Sequence, residues 1–180
     1  MMQIEALIDH PTRIRVCPEA ITTLKGVMRS LREVLECLDT EVYRSSPSRV
    51  SGSVGGHVRH CLDHAGALVS ATSGLVVDYD ARRRGTRVEI DPSAAIEEID
   101  RLGAELDRLH DRTLERVIDL HLMTDVGHAP VRLSSTIGRE VAFVIQHTIH
   151  HCAIVAILLD RAGVTVPDRF GYAPSTPGPH

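Results

Sequence analysis

The chain has 180 residues, of which 43% are hydrophobic, and a formal net charge of −4. This length and apolar content suit a single core, so we expect residues 1–180 to form one domain. The weakly acidic balance gives no basis for binding nucleic acid or an anionic membrane, both of which require clustered positive charge. The arginine triplet at 82–84 is interpreted as a solvated loop.

The cysteines and the N-terminus indicate a cellular compartment. Cys17, Cys37, Cys61 and Cys152 form no CxxC pair and lack the spacing of a disulfide framework or a zinc knuckle. The opening stretch MMQIEALIDHPTRIRV contains early acidic residues and no apolar core of signal-peptide length. We therefore expect reduced thiols and a cytoplasmic protein.

Apolar periodicity predicts two helices in the first half of the chain. The first begins at Glu19, and its apolar residues recur every three or four positions from Ile21 to Val42. The second takes Ser53 as its N-cap and continues until a break near Asp78.

The second half predicts two further helices separated by a short β-hairpin. Asp91 caps the third helix and Pro92 occupies its first turn. The segments RVIDLHLMTD and PVRLSST flank the turn-like VGHA, and their alternation is typical of a hairpin. The fourth helix is predicted over residues 137–162, and the Pro- and Gly-rich residues 163–180 form an irregular tail over the bundle.

The fourth helix contains nineteen residues, from Val141 to Leu159, without a formally charged side chain. That length could span a bilayer. However, Gln146, Thr148 and three histidines cluster at its centre, where hydrocarbon would penalise them most. A central helix of a soluble bundle is the better interpretation, with no membrane partner.

The sequence QHTIHHC in this helix suggests a metal site. His147 and His151 are four residues apart, so their Cβ atoms lie about 5–6 Å from each other on one face, close enough for both imidazoles to share a metal. The same face carries Val144 and should point into the core. His150 projects to one side and is not expected to be a ligand.

The second helix carries a matching stripe of histidines. His57, His60 and His64 lie within about 60° of each other on its helical wheel, with small residues such as Gly56 and Ala67 nearby that leave room for a pocket. Two histidines from one helix and one from the other would give a three-ligand set with an open position, as in catalytic metal sites. Alternatively, buried histidines can simply donate to carbonyls or pair with carboxylates.

The SVGGHVRHCLDH helix, the late HTIHH helix and the four predicted helices together resemble the DinB-like (DinB/YfiT-type) superfamily of metal-binding proteins. The resemblance implies an all-α four-helix bundle, here with the hairpin between helices three and four. It also implies a divalent ion bound by His60, His147 and His151, although His57 or His64 could replace or supplement His60. Three neutral imidazoles favour zinc or nickel, with iron or manganese as alternatives.

The resemblance implies several functions, and the residues do not choose among them. A vacant metal position could activate a low-molecular-weight thiol for S-transfer or a water for hydrolysis. The bundle could instead be a non-catalytic module that holds a metal or haem, and a homodimer is expected in either case. His57 and His64 are the candidates for proton transfer, whereas Asp63 should point away.

Three further residues near these motifs complete the predictions. Cys61 and Cys152 neighbour histidines in sequence, but a turn of about 100° per residue directs them elsewhere, so core packing is their expected role. Tyr172 in the GYAPST tail is a further candidate for proton transfer, but the sequence does not show where it lies relative to the histidines.

Overall fold

Four long helices, three short helices and a small sheet make up the part of the chain that the computed structural model describes, residues 19–47, 52–82 and 84–177. In chain order the elements are α1 (Glu19–Glu36), α2 (Thr40–Arg44), α3 (Val54–Gly74), β1 (Val76–Asp78), α4 (Arg87–Ile90), α5 (Pro92–Leu106), α6 (Asp111–Leu114), β2 (Val117–Leu122), β3 (Val131–Thr136) and α7 (Ile137–Arg161).

The long helices pack as a four-helix bundle, which confirms the predicted fold class. α3 packs against α7 and α5, and α1 contacts α5 and α7, so the four helices close around one core. Each fully buried leucine contributes roughly 1.5–3 kcal/mol through removal of its side chain from water. The largest fully buried aliphatic side chains of the long helices are Leu24, Leu31, Leu35, Leu68, Leu102, Leu106, Ile137 and Leu159.

Side-chain caps fix the starts of three long helices. The Ser53 hydroxyl accepts a hydrogen bond from the Gly56 N–H at 3.0 Å, and the Asp91 carboxylate accepts one from Ser93 at 3.0 Å. These bonds satisfy amide groups that have no partner within the helix. Both caps were predicted from the sequence and are confirmed. Thr136 caps α7 in the same way.

The predicted hairpin is also confirmed, and it belongs to a three-stranded sheet. β2 and β3 pair antiparallel, with Leu120 opposite Leu133, whereas β1 pairs parallel to β2. The buried side chains of Val77, Ile118 and Leu120 attach the sheet to the core. Because β3 runs directly into α7, the sheet fixes where the histidine-bearing helix begins.

Two predicted helix ends are wrong. The first helix does not continue to Val42, because Asp39 has an extended backbone and its carboxylate accepts from the Glu41 N–H at 2.7 Å, which caps the separate helix α2. The second helix ends at Gly74 rather than near Asp78, because Leu75 takes a left-handed conformation (φ 61°) and the chain enters β1.

A close approach between α3 and α4 depends on Gly55. A Cβ at this position would lie 2.1 Å from the carbonyl oxygen of Glu89, so only glycine allows α4 to pack this closely. Beside it, the buried Tyr43 hydroxyl donates to the Val88 carbonyl at 2.6 Å. These contacts hold the segment between β1 and α5 against the side of α3.

Both the length and the composition of α7 would allow it to cross a membrane. In the structure its buried face packs against α1 and α3. Residues 163–177 contain no helix or strand, and the buried Phe170 and the close contact of Gly171 with the Ala153 backbone place this segment on α7.

Candidate metal centre

The contact between α3 and α7 brings five histidines together. The spacing of three and four residues places His57, His60 and His64 on one stripe of α3, and the spacing of four places His147 and His151 on one stripe of α7. The two stripes face each other. Ring centroids are 4.1 Å apart for His64 and His147, 4.8 Å for His60 and His147, 4.6 Å for His60 and His151, and 5.1 Å for His57 and His151.

Nitrogen atoms of the two helices meet at two points. Nε2 of His60 lies 2.9 Å from Nε2 of His147, and Nδ1 of His57 lies 2.9 Å from Nδ1 of His151. At each point one imidazole donates a hydrogen bond and the other accepts it. The possible donor atoms of His60, His64 and His147 all lie within 4.8 Å of one another.

The proton position on His64 is set by the backbone. Its Nδ1 lies 2.9 Å from the carbonyl oxygen of His60, which can only accept, so Nδ1 carries the proton. The lone pair is therefore on Nε2. A hydrogen bond from one ring nitrogen to a carbonyl is the usual arrangement of a histidine whose other nitrogen binds a metal.

Four of the five histidines of the cluster are kept neutral by their surroundings. Burial, reinforced by the neighbouring imidazoles, lowers the pKa of His60 to about 3 and the pKa values of His147 and His151 to about 4. The pKa of His64 is also lowered, mainly by burial. Neutral imidazoles keep the lone pairs that a metal ion requires.

The ring of Tyr79 and the buried carboxylate of Glu140 support the histidine cluster. The ring of Tyr79, just after β1, stacks on His64 with centroids 4.7 Å apart and planes 9° from parallel. The Tyr79 hydroxyl donates at 2.8 Å to Glu140, which is fully buried on α7 and also accepts from Ser135 and Arg139. This network links the sheet to α7 directly beside the histidines.

The sequence reasoning missed this support. Glu140 immediately precedes the uncharged run of α7. An acidic side chain at the end of such an apolar run is expected to be buried, and this could have indicated that Glu140 requires a hydrogen-bond donor. The partner Tyr79 lies 61 positions earlier in the chain, and neither periodicity nor spacing relates positions that far apart.

The structure places the sequence-predicted candidates as follows. His60, His147 and His151, the expected ligands, are in mutual ring contact, and His64 joins His60 and His147 in a set whose donor atoms lie within 4.8 Å of one another. His57 lies against His151. The sets His60, His147, His151 and His60, His64, His147 both remain predictions.

Several other candidates lie outside the cluster, as expected for all of them except Tyr172, which the sequence did not place. His150 is exposed, and Asp63 pairs with Arg59 at 2.6 Å on another face of α3. Cys61 and Cys152 are buried in the core, where burial raises the pKa of Cys152 to about 12. Tyr172 lines a cavity of about 390 Å³ on the His150 side of α7.

Two sequence-based interpretations need correction. Ala67 does not enlarge the histidine cleft but lines a separate cavity of about 540 Å³ between α3 and α5. Arg82 is not simply solvated, because its guanidinium lies 3.0 Å from Nδ1 of His60 and its side chain is 31% exposed. Cys17, Arg83, His10 and His180 lie outside the described residues.

The fold and the site together define a helical bundle whose two adjacent helices present a histidine cluster able to hold a divalent ion. A sequence model of the DinB superfamily matches residues 23–155. The chain belongs to the DinB superfamily.

Two solved structures from Bacillus subtilis share this fold. The DinB-like protein YjoA has a TM-score of 0.60 at 18% identity, and the match covers 83% of this chain and 96% of YjoA. YfiT, described as a probable metal-dependent hydrolase with an unusual four-helix bundle topology, has a TM-score of 0.56 at 17% identity, covering 89% of this chain and 94% of YfiT.

A curated relative is similar in sequence over a shorter region. FK506-binding protein 5 of Rhizopus delemar is 32% identical over 110 residues, which is 61% of this chain and 29% of that protein. The chain therefore spans less than a third of the length of that relative.

Proposed function

We propose that the histidines of α3 and α7 hold one divalent metal ion, and that the protein uses it to activate a small thiol for S-transfer. The observation that carries this proposal is the set of imidazole donor atoms of His60, His64 and His147 within 4.8 Å of one another. A tetrahedral ion with metal–nitrogen bonds of about 2.0–2.1 Å separates its ligand atoms by about 3.3 Å. Small side-chain rotations would bring the donors to that spacing, so the residues fit the ion.

The donor set favours particular metals and leaves room for a substrate. Neutral nitrogen ligands suit zinc and nickel, with iron and manganese as alternatives. His60 and His147 belong to both candidate ligand sets, and either His64 or His151 completes the set. Three protein ligands leave at least one position of a four-coordinate ion open.

When bound, the ion would lower the pKa of a thiol at the open position and so supply a thiolate nucleophile. The chain's own residues orient the rings and accept the proton. The His60 carbonyl fixes the ring of His64, and Tyr79 stacks on its face. His57 lies outside both ligand sets but within the cluster, so it is the group we expect to receive the thiol proton.

A metal-dependent hydrolase is the second candidate. YfiT, which shares this fold, is described as a probable metal-dependent hydrolase, and this favours the second candidate. In that case water would take the place of the thiol, and His57 would accept a proton from water. The two candidates use the same ligands and differ in the molecule at the open position.

The test is the response of cobalt-substituted protein to a small thiol. We expect a sulfur-to-cobalt charge-transfer band whose apparent affinity rises with pH as the thiolate fraction increases. The His147→Ala variant should lose both cobalt and the band. A spectrum unchanged by millimolar thiol in fully loaded protein would contradict the transferase and leave the hydrolase.

A further inference from the structure

Arg82 lies at the edge of the histidine cluster on the loop that follows β1. One terminal nitrogen of its guanidinium is 3.0 Å from Nδ1 of His60, and the other is 3.8 Å from a carboxylate oxygen of Asp80. The side chain is 31% exposed, so it reaches both the cluster and solvent.

The loop that carries Arg82 is held in place by its own hydrogen bonds. One carboxylate oxygen of Asp78 accepts from the N–H groups of Asp80 and Ala81 at 2.9 and 3.1 Å. The Asp80 carboxylate accepts from the Met123 N–H at 2.7 Å, which ties the loop to the end of β2. The backbone therefore directs the side chain of Arg82 toward the cluster.

The hydrogen bond between Arg82 and His60 fixes a proton on the imidazole. A guanidinium only donates, so Nδ1 of His60 accepts and its proton is on Nε2, directed at His147. A metal ion held through Nε2 requires that proton to move to Nδ1. Two donors would then face each other, and the guanidinium would have to turn away from His60.

Released from His60, the guanidinium would be a cation without a full partner beside the open side of the site. The Met123 N–H donates to one oxygen of the Asp80 carboxylate, and the other oxygen lies 3.8 Å from the guanidinium, beyond hydrogen-bond distance. A divalent ion and a guanidinium together would leave a local excess of positive charge, which favours an anionic ligand. A guanidinium matches the two oxygens of a carboxylate with parallel hydrogen bonds.

We propose that Arg82 binds an acidic group on the substrate, so that the preferred thiol is a small one that also carries a carboxylate. This inference rests on the proposed function, because it assigns the substrate class of the same site. Arg82 is a specificity residue in this account, and it also competes with the metal ion for His60.

The experiment compares two thiols of equal length, 3-mercaptopropionate and 3-mercaptopropanol, on cobalt-loaded protein. Affinities are measured from the charge-transfer band at one pH and corrected for the thiolate fraction of each thiol. We expect the wild type to bind 3-mercaptopropionate at least about 10-fold more tightly than 3-mercaptopropanol, because one charge-assisted hydrogen-bonded pair contributes an effect of that size. In Arg82→Gln the ratio of the two affinities should fall close to one. The control is Arg84→Gln, which alters an exposed arginine on the same loop and should keep the wild-type ratio.

The outcomes separate the two proposals. If neither thiol gives a band in loaded wild-type protein, the proposed function fails. If both thiols bind the wild type equally, or if Arg82→Gln keeps the full preference, the role of Arg82 is overturned while the thiol site remains.

Metal affinity gives a second readout that is independent of any thiol. Because Arg82→Gln replaces a guanidinium, which can only donate, with a neutral amide that can also accept, it should hold cobalt several-fold more tightly in competition with a chromophoric chelator. Weaker cobalt binding by Arg82→Gln than by Arg84→Gln would contradict the competition.

Discussion

Two histidines of the cluster, His60 and His64, have proton positions that their neighbours determine. The His60 carbonyl places the proton of His64 on Nδ1, and Arg82 places the proton of His60 on Nε2. His64 therefore already presents a lone pair, whereas His60 must change tautomer before Nε2 can bind a metal. Residue identity alone does not distinguish these two imidazoles, which lie four positions apart on one helix.

The first prediction at this scale decides between the two ligand sets. His64→Ala and His151→Ala should differ: the variant that removes the third ligand should weaken zinc binding by at least about 10-fold, and the other should change it little. The measurement is competition with a chromophoric chelator. His110→Ala and His128→Ala, which alter histidines outside the cluster, are the controls. Equal and small losses in both variants would contradict a three-histidine site.

The second prediction concerns the stability of the metal-free protein as a function of pH. An unfolded histidine has a pKa of about 6.5, whereas the folded values are about 3 for His60 and about 4 for His147 and His151. Between these values the unfolded chain binds more protons, so lowering the pH favours unfolding. The free energy of unfolding should therefore be highest above about pH 6.5 and fall toward pH 4.

Urea denaturation across pH 5.0–6.5 checks this, because most carboxylates keep their charge in that range. The double variant His60→Gln, His147→Gln should show a shallower slope than the wild type. An identical slope in both proteins would show that the cluster is not the source of the pH dependence.

At the scale of elements, much of the architecture could be predicted because its causes are local. Asp91 before Pro92 and Ser53 before an apolar repeat define helix starts through bonds that span only two or three residues. The hairpin follows from alternation on either side of a short turn. The facing histidine stripes follow from spacings of three and four on two helices, so the cluster itself was also predictable.

The elements that sequence reasoning missed depend on contacts between distant segments. β1 has three residues, too few for an alternating pattern, and it exists because it pairs with β2 more than forty positions later. The break before α2 depends on one carboxylate that caps a new helix rather than continuing the old one. Arg82 could not be distinguished from its neighbours in a run of three arginines until the fold placed it beside His60.

The third prediction tests the link between the sheet and α7. Tyr79→Phe removes the hydroxyl that donates to the fully buried Glu140 but keeps the ring that stacks on His64. We expect a loss of about 1–3 kcal/mol in the free energy of unfolding, because a buried carboxylate loses a donor. Tyr172→Phe, which alters a half-exposed tyrosine, should change it by less than about 0.5 kcal/mol.

Because Tyr79→Phe keeps the stacked ring, its zinc affinity should stay close to that of the wild type. Equal stability of the two tyrosine variants in urea denaturation would show that the buried network does not stabilise the fold.

At the scale of the whole molecule, the site lies where two long helices of one bundle pack together. Neither helix contains the complete donor set, so the site exists only in the folded chain. A ligand that binds only the folded state stabilises it by RT ln(1 + [L]/Kd). Metal binding and folding should therefore be coupled, because the fold itself brings the histidines of the two helices together.

The central claim is that this bundle holds one divalent ion between α3 and α7, and elemental analysis after reconstitution tests it most directly. Protein is reconstituted separately with zinc and with nickel and then freed of unbound metal. It should contain about one ion per chain, because the cluster supplies one set of three imidazole ligands. The double variant His60→Ala, His147→Ala, which disrupts both candidate ligand sets, should contain close to none. Wild-type protein without bound metal, or equal metal content in the wild type and the double variant, would contradict the account.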